Sequence, residues 1–506
     1  MQLLNTSRRL VPVAALCAIA AAQACGNSTG GGNGGTTAGG GAAATGGAPG
    51  PAGAAGTAIT GAGSNSVASA AGAVGAAGSA VGGTGGGGGG GGSGGQGGAG
   101  TAGGGSGGAN AGSGGDGSGV PQVDQFETSC LSVPDPDIAA STDLVGMVGQ
   151  WTAYFYKKNG MADHEYKWKA LQGSLISDTH IVFDPQSQRW FLSTIVEKVT
   201  GANYGVQLMV STDAKATDWK VSIPAHETDL IDNPQPTVSA DKVLLAYHGD
   251  CAWVVDKADL YNGNAAVVQP TTCSLKSADN WVAVKYGGTP PSTAYAVTLL
   301  DDTHLSWMSV EGTQAAKNVN LQVHNITVPN VDYPPVWGSD GVIVNGAQIE
   351  AGEVKAMWQN DHLYWAKSVH CSSDMCERLF DINTKDNTAK TTDFPLKGEQ
   401  MWFGVPGVDA HQNVWMLASA ATKQGPVGLA LMGVYKSGKI YDAHHILDGQ
   451  SQFANSGQLR LGDYTSAAQD PDGSLWLIGM YAAKNPNPMN TEGSNSGCRA
   501  VHITPK

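Results

Sequence analysis

Residues 26–119 contain no aromatic residue and one charged residue, Asp116. A stretch built almost wholly of Gly, Ala, Ser and Thr has no apolar surface to offset the entropy of ordering, so a packed core is excluded there. Every Trp, Tyr and Phe lies in residues 120–506, which are read as one large domain with its own core. Arginine is scarce as well. The folded part holds only Arg189, Arg378, Arg460 and Arg499. No apolar run is long enough to cross a bilayer core of about 30 Å, since the longest near the N-terminus is Leu10–Ala22. A Ser nucleophile elbow, a phosphate-binding Gly loop in strand and helix context, and a zinc helix motif are all missing.

The short apolar run after Arg8 and Arg9 suits a secretory signal over residues 1–24, so export is expected. Ala22-Gln23-Ala24-Cys25 resembles a bacterial lipoprotein box, in which Cys25 is lipidated, and it also fits an ordinary A-x-A cleavage site. The first reading implies a membrane anchor at the cell envelope, either outer membrane or cell surface. Residues 25–119 then form a flexible tether with a root-mean-square reach of roughly 50–60 Å.

Six cysteines remain beyond the leader: Cys130, Cys251, Cys273, Cys371, Cys376 and Cys498. An even number in an exported chain reads as disulfides. Proximity favours Cys251–Cys273 and Cys371–Cys376, which leaves Cys130 with Cys498. The one near alternative for a metal is Cys371-x4-Cys376 beside His370, and an oxidising compartment disfavours it.

Within the domain a unit recurs: an extended run, a polar turn, and a second extended run bearing a large apolar residue. Its second-strand positions are Trp190, Leu245, Trp307, Trp365, Trp415 and Trp476, spaced 50–62 residues apart. Such steps match one four-stranded blade each and predict an all-β, six-bladed β-propeller. A pair of β-sandwiches is the competing architecture. A seventh blade is open near Trp151–Tyr156, a segment read instead as the strand that completes the last blade, where a Cys130–Cys498 bridge would lock the ring.

Phe183-Asp184-Pro185 with Arg189-Trp190, Leu208–Asp213 with Trp219, Asp232-Asn233-Pro234, and Arg460–Ser466 resemble motifs of bacterial secreted β-propeller proteins. These proteins are distantly like the sialidase-type Asp-box propellers. The likeness runs through most of 145–485 and implies a fold and export, not an activity.

Propeller geometry places the residues just before each innermost strand on one face, at the channel mouth. They are Asp178 and His180; Asp232, Asn233 and Gln235; Ser292; Glu353; Glu399, Gln400 and Trp402; and Arg460, Asp463 and Tyr464. Asp332 and Tyr333 are expected beside them. Such a mouth is acidic and aromatic and suits a ligand. Sialidase chemistry needs three convergent guanidinium groups, which four scattered arginines do not supply. Another glycosidase needs two carboxylates, for which Asp232, Glu353, Glu399 and Asp463 are candidates, with Tyr464 beside them.

Removing Arg8, Arg9 and Asp116 from the total of −14 leaves −15 on residues 120–506, which argues against nucleic acid as a partner. No cofactor is required. Asp470-x-Asp472-Gly473 offers oxygen ligands suited to calcium and equally reads as a simple turn. The favoured reading is a monomeric, non-catalytic surface propeller that recognises an extracellular glycan or protein. The alternative is a carbohydrate-active hydrolase using paired carboxylates on the same face.

Overall fold

A computed structural model describes residues 119–128, 136–149, 152–175, 178–227, 233–246, 252–263, 281–331, 338–339, 342–343, 355–372, 374–422, 425–450, 465–484 and 496–505. Cys25, Cys130, Cys251 and Cys273 lie outside them. The described residues are nearly all strand, with one short helix, α1 (Lys257–Asn262).

Strand β1 (Gln122–Thr128) stands apart from its neighbours in sequence and is taken up below. Sheet I is β2 (Asp137–Ala140), β3 (Leu144–Val148), β4 (Thr152–Lys157) and β5 (Ala162–Lys167). In sheet II, β6 (Ser174–Leu175) and β7 (His180–Asp184) both pair with β8 (Arg189–Glu197), followed by β9 (Tyr204–Ser211) and β10 (Trp219–Glu227). Sheet III has β11 (Gln235–Val238), β12 (Lys242–Ala246) and β13 (Trp253–Asp256).

Sheet IV runs β14 (Val282–Tyr286), β15 (Ala294–Asp301), β16 (His304–Glu311) and β17 (Asn320–Thr327). A small pair, β18 (Gly338–Ser339) and β19 (Val342–Ile343), precedes sheet V, which is β20 (Ala356–Gln359), β21 (His362–Cys371), β22 (Asp374–Asn383) and β23 (Thr388–Phe394). Sheet VI is β24 (Glu399–Val408), β25 (Val414–Thr422), β26 (Gly428–Val434) and β27 (Ile440–Leu447). Sheet VII is β28 (Ser466–Gln469), β29 (Leu475–Ala482) and β30 (Ser496–Thr504), with β1 returning as its outermost strand.

The first strands of these sheets neighbour one another in a closed order: β2, β7, β11, β14, β20, β24, β28 and back to β2. At one step the backbones join directly, because β14 pairs in parallel with β20, Val284 facing Ala356. Burial falls outward from these strands. β2 and β7 are buried throughout, whereas β5 and β17, the fourth strands of their sheets, alternate exposed and half-buried residues. The core is therefore the set of faces between adjacent sheets, filled by Trp190, Trp253, Trp365, Trp415 and Trp476.

Seven sheets stand where six repeats were expected. The segment around Trp151–Tyr156 is not the closing strand of the last sheet; Thr152–Lys157 is the third strand of sheet I, and β1 performs the closure. The second strand of sheet I, like that of sheet III, bears no aromatic. A Cβ at Gly146 would lie 2.7 Å from the Trp190 ring, so the neighbouring sheet supplies the bulk. A second correction concerns Leu300–Trp307, which joins the second and third strands of sheet IV rather than the first two. Its first hairpin, Gly287–Thr293, has no turn aspartate to reveal it, and Ser292 therefore lies in that hairpin, where its carbonyl accepts from Lys242 Nζ.

The turn aspartates earn their recurrence. Asp409 Oδ1 accepts from the amides of His411 and Asn413, at 2.8 and 3.0 Å, while Oδ2 accepts from Trp415 Nε1 at 2.9 Å. Asp470 Oδ2 accepts from Trp476 Nε1 at the same distance and also receives Lys158 Nζ from sheet I. One carboxylate thus shapes the turn and fixes the indole that packs the next seam. Asp409→Ala would leave the buried Trp415 N–H unpartnered, a loss of about 1–3 kcal/mol. Chemical denaturation of this variant beside Asp409→Asn, which keeps one acceptor oxygen, should show the larger loss for Ala. Asp409 and Asp184 are both buried.

The Cys371–Cys376 disulfide forms at the β21–β22 hairpin, with Cα atoms 5.7 Å apart. Its sulfurs are consequently not thiolate ligands for a metal. Cys498 is also disulfide-bonded, opposite Thr128 in the β1–β30 register.

Candidate functional site

The residues that meet at the ring's centre come from the beginnings of first strands or from the residue or two before them, except Lys285, which reaches back from near the end of β14. Asp137 opens β2, and its carboxylate is 1% exposed. Oδ1 lies 2.5 Å from Lys285 Nζ of β14 and 2.5 Å from Ser466 Oγ of β28; Oδ2 accepts from the Ile181 amide of β7 at 3.2 Å and lies 3.3 Å from His180 Nδ1. Lys355, immediately before β20, places Nζ 3.8 Å from Oδ2 and 3.0 Å from His180 Nδ1. A single carboxylate therefore ties together five of the seven sheets.

Burial alone would raise the Asp137 carboxyl, but Lys285 and Lys355 outweigh it and hold the group well below the usual carboxylate range. Burial, reinforced by Lys355, pushes His180 down to about 4 despite Asp137, so the ring is neutral at physiological pH. Lys355 Nζ has only protons to offer, so Nδ1 accepts and Nε2 carries the hydrogen. That hydrogen points to Asn233 Oδ1, 2.5 Å away. Asn233 in turn donates its backbone N–H to Asp178 Oδ2 at 3.2 Å. Both Asp178 and Asn233 have positive φ, 57° and 48°, a conformation that Asx side chains tolerate best among non-glycine residues.

Four of the expected mouth residues, Asp178, His180, Asn233 and Gln235, are thus brought together, but as a buried layer and not a solvent-facing rim. Gln235 Oε1 accepts from the Ala283 amide of sheet IV at 3.2 Å. Trp402 is buried in sheet VI, and Gln400 is engaged with the Met375 amide and Asp374. Glu399 turns outward to His445 Nε2 on β27, at 2.5 Å, so it faces the outermost strand of its own sheet. Asp232, Glu353, Asp332, Tyr333, Arg460, Asp463 and Tyr464 lie outside the described residues. Of the four candidate catalytic carboxylates, Glu399 is the one within the described residues. In the Asp470 turn the oxygens expected to suit calcium are occupied by Trp476, Lys158 and Ser474.

The central residues missed in the sequence are Asp137, Lys285, Lys355 and Ser466. Lys285 left a trace, as one charge inside the apolar strand Val282–Tyr286, and Ser466 another, as the end of the Arg460–Ser466 motif.

At the other ends of the same strands lies a small pocket of about 30 Å³, open to solvent. Phe183, Pro185, Tyr286, Pro290 and Gln469 surround it, and the Lys285 stem links it to the polar layer. The open pocket is therefore on the side of the first hairpins, opposite the expected mouth.

No known protein-family model and no curated protein matches the sequence. Two variants of the Synechocystis apocarotenoid oxygenase align at 9% identity and TM-score 0.37, covering 64% of this chain and 73% of theirs. A fungal alcohol oxidase of the AA5 family, in complex with copper, aligns at 11% identity and TM-score 0.39 over 76% of each chain. Likeness at this level transfers neither ligand nor activity.

Proposed function

We propose that this chain is an exported, envelope-anchored seven-bladed β-propeller, of the secreted bacterial kind its motifs resemble, which recognises an extracellular glycan or protein at its axis. The observation that carries the reading is the axial pocket. It is open; mostly apolar residues surround it, the surface it offers is more polar than apolar, and the Lys285 ammonium at its base is paired with Asp137. Recognition suits such a pocket better than acid–base chemistry, because the ionisable groups of its lining, Lys285 and Tyr286, are committed to Asp137 and to the Thr293 carbonyl. The net charge of −15 on the folded part favours neutral or cationic partners.

The soluble fragment 119–506 should bind components of a glycan and envelope-protein array saturably. Gln469→Trp, which fills the pocket rim, should weaken binding by about tenfold or more with little change in melting temperature. Unchanged affinity in that variant would place recognition elsewhere. The anchor is tested separately: Cys25→Ser should shift the full chain from the detergent to the aqueous phase, and equal partitioning would remove the lipid from the proposal.

A further inference from the structure

A chain of aromatic rings starts at the axial pocket and follows the seam between sheets IV and V. Tyr286, at the end of β14, lines the pocket. Its ring lies 5.9 Å from that of Trp358 on β20, edge to face, and Trp358 stacks on Tyr295 of β15 at 5.6 Å with 16° between the planes. Tyr295 in turn lies 6.1 Å from Trp307 of β16. Trp307 is 2% exposed and donates its Nε1 hydrogen to Asn387 Oδ1 at 2.9 Å, so it is a fixed support. The three rings nearer the axis differ from it. Tyr286, Trp358 and Tyr295 are each half-buried, whereas their strand neighbours Lys285, Met357 and Ala296 are buried. Each ring therefore keeps part of its surface open beside the pocket.

Polar atoms edge these rings. Trp358 Nε1 donates to Thr384 Oγ1 at 3.3 Å, and that hydroxyl donates to the Asp361 carbonyl at 2.9 Å. Thr293 and Thr384 flank the Tyr295 hydroxyl. The carboxylates nearby are Asp361 and Glu311 beside Tyr295, and Asp241 beside Tyr286. The turn between pocket and rings carries no side chain at its first two positions: Gly287 packs against Gln359, next to Trp358, and Gly288 faces Gln469 of the pocket. Open aromatic surface with hydroxyls, carbonyls and carboxylates at its rim suits a ligand that is apolar on its faces and rich in hydroxyl donors at its edges, and it repels an anion. A sugar ring has that form. The pocket alone has room for only a few waters, so it cannot hold a sugar ring without the surface beside it.

We propose that Trp358 and Tyr295 form a stacking shelf that continues the axial pocket, and that the ligand taken there is a neutral oligosaccharide whose sugar rings lie on the aromatic rings while their hydroxyls donate to the surrounding carbonyls and carboxylates. The shelf rests on recognition at the axis and narrows its ligand to an uncharged glycan.

Calorimetric titration of the full-length protein tests it, with cellohexaose, mannohexaose, xylohexaose and maltohexaose as probes and hexagalacturonate as the acidic counterpart. At least one neutral hexasaccharide should bind saturably, and hexagalacturonate should bind about tenfold more weakly or not at all. Trp358→Ala and Tyr295→Ala should each weaken the neutral ligand by about tenfold, and Trp358→Phe and Tyr295→Phe, which keep a ring, by about threefold or less. Binding that is weakened by Gln469→Trp but unchanged in both alanine variants overturns the shelf and leaves axial recognition standing; binding indifferent to all three overturns both. If no neutral hexasaccharide binds, the shelf is refuted, while a protein ligand sensitive to Gln469→Trp still sustains recognition at the axis. Should the alanine variants not fold, hydroxyl-radical footprinting of the wild type decides. Bound hexasaccharide should protect Trp358 and Tyr295 and leave unprotected Tyr166, a half-buried tyrosine of sheet I that stacks on Trp219. Equal protection of all three, or none, refutes the shelf.

Discussion

Asp137→Asn should lower the stability of the folded domain by about 3–5 kcal/mol, seen as a lower denaturant midpoint, because it removes an anion that pairs with two buried ammonium groups. Lys285 and Lys355 are 5% and 2% exposed, so neither amine reaches bulk water once its partner is gone. The cost lies in uncompensated charge and not in the lost contact itself. Hence Lys285→Met added to Asp137→Asn should recover part of the loss, and strict additivity of the two substitutions would refute the coupling. The sign with pH follows from the depressed carboxyl. Its stabilisation is present above the unfolded value of about 3.9 and disappears as pH falls toward the folded value, so the wild type should have an acid-unfolding limb that Asp137→Asn lacks.

Removing residues 120–128 should have a comparable effect by another route. β1 supplies the outermost strand of sheet VII, pairing from Gln122 opposite Thr504 to Thr128 opposite Cys498. Phe126 packs 5.4 Å from the Trp476 ring and fills the space above Gly160, whose φ of 81° lets the sheet I turn pass over it. Without β1 the free edge of β30 would offer unpaired N–H and C=O groups to any other strand. The fragment 129–506 is expected to self-associate on size-exclusion chromatography, and a synthetic peptide of residues 120–128 should return it to a monomer. A monomeric fragment with unchanged melting would show that β1 is dispensable.

Much of the architecture was readable before any coordinates. Alternating strands, aspartate turns and regularly spaced tryptophans marked five of the seven first hairpins. They failed where another element carried the same physical duty. Gly146 leaves its space to Trp190, and the Gly287–Thr293 turn has no aspartate, so sheets I and IV lost their markers. The centre was less legible. His180, Asn233 and Asp178 were placed in one layer by their position before first strands, but their burial depends on Asp137 and Lys355 arriving from sheets I and V. Ion pairs between residues more than a hundred positions apart leave no local pattern.

The pairing of Gln122 with Thr504 puts the two ends of the folded chain side by side on one sheet. In topological terms the domain is a circle that happens to be cut there. A short loop joining residue 505 to residue 120, with new termini opened in the exposed turn at Lys385–Asn387, would preserve every sheet while moving the point of attachment. In such a permutant the chain would begin and end at sheet V, and β1 and β30 would be consecutive strands of one hairpin.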